Sequence, residues 1–146
     1  MSTISLYNQT AARFVTGANA ASDTYKVMLL SSSASFNATH TTLTQVSNAG
    51  AYEVYGNGWS QGGYTLTGVT LALATTNDAA FDAADVSQAI SGGALGPFSA
   101  YVIYNDTDTD DPPLAYVALT SAQTVSDGNT AGITWDADGI VKFTVA

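Results

Sequence analysis

The sequence predicts an all-β chain: a single-domain β-sandwich or barrel-like sandwich, preceded by a short N-terminal helix or arm. Short alternating segments in the second half carry this reading, FSAYVIYN at 98–105, PLAYVALT at 113–120, TAGITWD at 130–136 and IVKFTV at 140–145. Turn signals separate them at close, regular spacing, the pattern of strands in a sandwich. Nothing reactive is planted on that framework, so the chain reads as a building block rather than a catalyst.

Taken in order, residues 5–15 carry Leu6, Phe14 and Val15 on one loose helical face, with Gly17 as a stop signal. The spacing predicts a short helix there, with an extended N-terminal arm as the alternative. The first strand is TYKVMLLS at 24–31. Residues 31–51 are polar with little periodicity and read as a long loop, an element often used for contacts. A glycine-rich turn at 56–63 leads into a second strand over 64–73. Asn77 and Asp78 mark a turn, 80–86 reads as a short strand with a bend, and 91–97 as a loop. No internal repeat or linker divides the chain, so residues 1–146 are expected to form one domain.

Composition narrows the partners. At 146 residues one core can form, burying about two thirds of the unfolded surface. Hydrophobic residues make up 46 % and charged residues only 10 %, against roughly 25 % in an average soluble domain. Thr, Ser, Asn, Ala and Gly replace the missing charge, which suits a surface packed against neighbours. Twelve acidic residues face three basic ones, Arg13, Lys26 and Lys142. Three cations cannot build the patch that nucleic acid or an anionic membrane requires. There is no cysteine, so neither disulfides nor thiolate metal sites enter. No transmembrane run and no signal-peptide pattern are visible, and synthesis in the cytoplasm without secretion is expected.

Each candidate site has a plainer reading that wins. Asp106, Asp108, Asp110 and Asp111 resemble the opening of a calcium loop, yet Asp111 stands where the loop glycine belongs and Val117 where the bidentate Glu belongs. A solvated hairpin tip is expected. Gly56, Gly58, Gly62 and Gly63 lack the following helix and lysine of a phosphate cradle, so they are turn or bulge glycines. His40 has no nucleophile motif to serve. Glu53, the one glutamate, would need a carboxylate partner for glycoside hydrolysis. Trp59 could be an exposed stacking platform, whereas Trp135, alternating with Ile133, reads as core. The acceptor patterns at Asn8, Asn37 and Asn105 are those any threonine-rich chain offers. No metal and no cofactor are expected.

Six segments carry a resemblance: DTYKVMLL at 23–30, VYGNGWSQGG at 54–63, FDAADV at 81–86, YVIYNDT at 101–107, PLAYV at 113–117 and ITWDADGI at 133–140. They resemble a family of small virion proteins of tailed bacteriophages in an order and spacing that run over nearly the whole chain. The resemblance implies a virion structural component with a β-sandwich-like domain and no catalytic residues. The function expected is that of a capsid decoration (cement) protein, a homotrimer clamping major capsid subunits on the outer surface of the shell. The net charge of −9 suits such a solvent-facing position. A neck or tail adaptor or a fibre protein is the alternative, and a carbohydrate-binding or hydrolysing module a more distant one. Leu6, Tyr7 and Phe14 of the N-terminal segment and Trp59 and Tyr64 of the Gly-Trp loop are the expected contact residues.

Overall fold

The computed structural model describes residues 3–75 and 78–144. Its strands are β1 (Thr3–Leu6), β2 (Tyr25–Leu30), β3 (Glu53–Val54), β4 (Tyr64–Thr65), β5 (Thr70–Thr75), β6 (Asp78–Asp82), β7 (Val86–Ala89), β8 (Leu95–Asn105), β9 (Pro113–Val125), β10 (Thr130–Ile133) and β11 (Val141–Thr144). Two short helices interrupt them, α1 (Thr10–Val15) and α2 (Leu43–Ser47). The main sheet runs β1-β9-β8-β2-β3, with β4 also paired to β2. Two smaller sheets, β11-β6-β5 and β10-β7, complete a sandwich-like all-β architecture in which the paired strands are antiparallel.

The alternation of side chains along a strand explains why β2 reads as a continuous apolar run. Tyr25, Val27 and Leu29 enter one core, Met28 and Leu30 another, so both faces of the sheet are covered. The first core joins the main sheet to the small sheets, bringing Ile103 and Ala115 together with Phe81, Val86, Ala131 and Val141. Aromatic edges tie it: Tyr25 meets Phe81 with ring centroids 4.7 Å apart, and Phe14 of α1 meets Phe81 and Phe143, each at 5.3 Å. On the other face Tyr7, Met28, Leu30, Val102, Tyr104 and Tyr116 pack with Val46 of α2.

Several sequence expectations need correction. The N-terminal segment is a strand followed by a shorter helix, not one helix over 5–15. Ile4 and Leu6 alternate with Thr3 and Ser5 in register with β9, and Thr10 is fixed by its hydroxyl donating to the Leu114 carbonyl. Leu6 is therefore outside the helix and Val15 is 84 % exposed, so the three-residue face does not form. Gly17 does follow the helix end, with φ of 79°. The polar stretch 31–51 contains α2, started by a capping box: Thr42 Oγ1 accepts from the Gln45 amide while Gln45 Oε1 accepts from the Thr42 amide.

The strand expected over 64–73 is broken. Leu66 donates its amide to Tyr25 and then the chain crosses, through Gly68 at φ 61°, from the main sheet to the small one. The bend in 80–86 likewise separates β6 from β7, which belong to different sheets. Loop 91–97 is shorter than expected, because β8 begins at Leu95 and pairs there with Val125. Of the turn expected at Asn77 and Asp78, Asn77 lies outside the described residues; Asp78 opens β6.

Candidate functional site: an uncharged face at a sheet edge

The five expected contact residues are not gathered into one patch. Leu6 lies on edge strand β1 and is 42 % exposed. Tyr7, the next residue, turns to the opposite face and is 2 % exposed, its ring 5.1 Å from Phe36. Phe14 is half-buried against Phe81. Trp59 is 2 % exposed and belongs to the first core, with half-buried Tyr64 5.8 Å away. The tryptophans thus exchange roles relative to the sequence reading: Trp59 is interior, and Trp135 is a half-buried boundary residue. Glycine geometry is the reason. At Gly63 a β-carbon would lie 2.1 Å from the Val27 carbonyl oxygen, and at Gly58 one would lie 2.5 Å from that of Ala89. The glycine loop therefore lies directly on the backbone of β2 and β7, which drives Trp59 inward.

What the fold brings together instead is a face of the main sheet beside β10. A groove of about 370 Å³ opens between β10 and the β8–β9 ribbon, lined by Phe98, Tyr101, Leu119, Val125 and Ile133, among others, and by no charged residue. An adjoining hollow of about 390 Å³ shares Tyr101 and continues over Val117, Trp135 and Ile140 to Ile4, with Asp136 its one charged residue. Trp135 is fixed in this wall by its backbone amide donating to Asp85 Oδ1 and its Nε1 donating to the Ala84 carbonyl, both at 3.0 Å. Burial pushes the Tyr101 phenol up to about 12, so it stays neutral. Ile4, 49 % exposed, and Leu6 border the face on the outermost strand. The alternating TISL of β1 is the available signal, its second half overlapping the segment 5–15 that reads as a helix or arm.

Charge lies elsewhere and is largely used in tying segments together. Asp106 pairs with Lys26 at 2.9 Å and Asp108 with Arg13, so the aspartate tip between β8 and β9 is strapped to β2 and α1. Hydrogen bonds from Arg13 hold the Asp108 carboxyl below the usual carboxylate range, while burial and neighbouring Asp106 raise that of Asp111. Lys142 bridges Asp78 and Asp138. Glu53 accepts from the Gly62 amide, and the Tyr104 hydroxyl donates to the Gly62 carbonyl, so the glutamate anchors the glycine loop. Burial lifts the Glu53 carboxyl above its ordinary value against that hydrogen bond. The His40 Nδ1 atom is buried with no hydrogen-bond partner among the described residues. Asn105 is fully buried, donating to Asn19 and Asp23, so its acceptor pattern is structural.

Among the described residues no group of three or more His, Cys, Asp or Glu side chains is gathered as a metal site. No helix among them is long and apolar enough to cross a membrane. The arrangement on the uncharged face offers hydroxyls, one phenol, amide groups and apolar surface, which is chemistry for adhesion. No family model, curated protein or solved structure matches this chain.

Proposed function

We propose that the chain is a structural, protein-binding subunit of a tailed-bacteriophage particle, and specifically a decoration protein on the outer face of the capsid shell. The observation that supports this reading is a charge-poor, partly apolar face beside an open sheet edge, with Asp136 its one charged residue, on a chain of net charge −9. Apolar, charge-depleted surface is what the core of a protein interface is made of. Acidic surface elsewhere limits nonspecific association of free subunits and suits the outside of a shell rather than its DNA-facing side.

The chain works in this reading by binding energy and not by catalysis. Subunits seated across neighbouring capsid subunits would add contacts that packaged DNA must break before the shell opens. The test is the temperature at which particles release DNA, with and without the gene for this chain. The reading expects release at lower temperature from particles lacking the subunit, restored by adding the purified protein. Identical release temperatures would overturn the decoration role.

A further inference from the structure

We propose that the β1 edge pairs with β1 of a second copy across a twofold axis centred on Ser5, joining two main sheets into one. The backbone fixes which groups are free. Tyr7 donates its amide to the Leu114 carbonyl, and the register Leu6↔Ala115, Ser5↔Tyr116, Thr3↔Ala118 continues that ladder. In an antiparallel pair the hydrogen-bonded positions alternate. Tyr7, Ser5 and Thr3 therefore direct their amides and carbonyls to β9, while those of Ile4 and Leu6 point away from the sheet. No other described segment bonds to them.

The side chains make the same demand. Ile4 and Leu6 share one face of the strand and are 49 % and 42 % exposed. A twofold centred on Ser5 sets Ile4 opposite the second copy's Leu6, and Leu6 opposite the second copy's Ile4. Those are the residues with outward backbone groups, so each pair exchanges two hydrogen bonds and meets apolar on apolar. One residue of slip would oppose inward to outward positions and lose the bonds.

A second copy is the occupant argued by charge. Edge strands are normally blunted by lysine, proline, a bulge or brevity. The outer strand β11 carries Lys142, β3 has two residues and β5 has a register shift beyond Leu73, whereas the four residues of β1 include neither charge nor proline and pair with β9 in unbroken register. On a chain with net charge −9, TISL itself sets no carboxylate against its copy, Asp136 being the one charged residue of the hollow that reaches Ile4. The contact is isologous and closes as a pair.

The experiment uses the purified full chain alone, so its failure leaves the particle reading standing. Sedimentation equilibrium up to about 1 mM, the weak end of specific association, is expected to show a monomer–dimer equilibrium. Amide exchange supplies the site: Ile4 and Leu6 should gain protection with concentration, while Ser5 is protected throughout. Leu6→Lys, which opposes cations to one another's strands, should weaken association by about tenfold or more; Val15→Lys, on exposed α1, should not. A strictly monomeric wild-type chain, or concentration-independent exchange at Ile4 and Leu6, would overturn the proposal. So would a dimer that Leu6→Lys leaves unchanged while folded by circular dichroism.

Discussion

The ring of Phe81 on β6 stands nearly edge-on to that of Tyr25 on β2, with an interplanar angle of 63°. Both residues are fully buried, and Phe81 also receives Phe14 from α1. One side chain therefore links the small sheet, the main sheet and the N-terminal helix. Removing it leaves a cavity where three elements meet.

Phe81→Ala is accordingly expected to cost about 3–5 kcal/mol of stability, the range for truncating a buried aromatic. Denaturant unfolding checks this. A loss below about 1 kcal/mol would mean that the sheets are joined elsewhere.

The two tryptophans should respond in opposite order to the sequence reading. Trp59→Ala is expected to lose about 3–5 kcal/mol as a buried residue, and Trp135→Ala about 1–2 kcal/mol as a half-buried one. The Trp59 Nε1 atom has no hydrogen-bond partner among the described residues. Trp59→Phe should therefore be tolerated far better than Trp59→Ala. Thermal melts of the three variants settle the order.

That exchange shows how much was legible in the sequence. Strands whose apolar residues alternate over several positions, as in β2, β8, β9 and β11, are visible because a local period reports a local geometry. Three features were not. The β1 strand is four residues long, and its partner lies more than a hundred positions away. The crossing at Leu66 depends on which sheet captures each half of a continuous β-like segment. Trp59 is buried because Gly58 and Gly63 allow close backbone approach, a spatial relation invisible in one dimension. The α2 helix, by contrast, had a readable sign in Thr42 and Gln45. As for the face, among the expected contact residues buried Trp59 lines its groove and Leu6 borders it, whereas Tyr7, Phe14 and Tyr64 do not line it; Phe98 and Tyr101 of β8 and Ile133 of β10 converge there from separate strands.

Gly63→Ala should destabilise strongly, by about 3 kcal/mol or more, because positive φ and a clash with a backbone carbonyl cannot both be relieved by a rotamer change. Gly17→Ala is the control: its φ is also positive, but a β-carbon there meets nothing within 4 Å. Equal losses in the two variants would show that close approach to β2 is not what fixes the loop.

Glu53 gives a pH-dependent prediction. Its folded-state carboxyl is raised by burial, so the folded protein binds that proton more tightly than the unfolded chain does. The resulting stability is fully present below the unfolded value and is lost as pH rises through the folded one. Glu53→Gln keeps an oxygen to accept from Gly62 and removes the half-buried charge. The variant should match or exceed wild-type stability at neutral pH, with wild type gaining on it as the solution is acidified through the carboxylate range. A variant most destabilised at neutral pH would show that the ionised carboxylate supports the loop.

The central claim is that this chain is a repeated structural subunit of a phage particle, and its copy number tests it most directly. On that proposal a phage carries the gene, and quantitative mass spectrometry of its purified particles, referenced to the major capsid protein, gives that number. The account predicts hundreds of copies in fixed ratio to the capsid subunit. About a dozen or fewer would place the chain at the neck, tail or fibres and end the decoration role, and its absence from particles would contradict the account altogether.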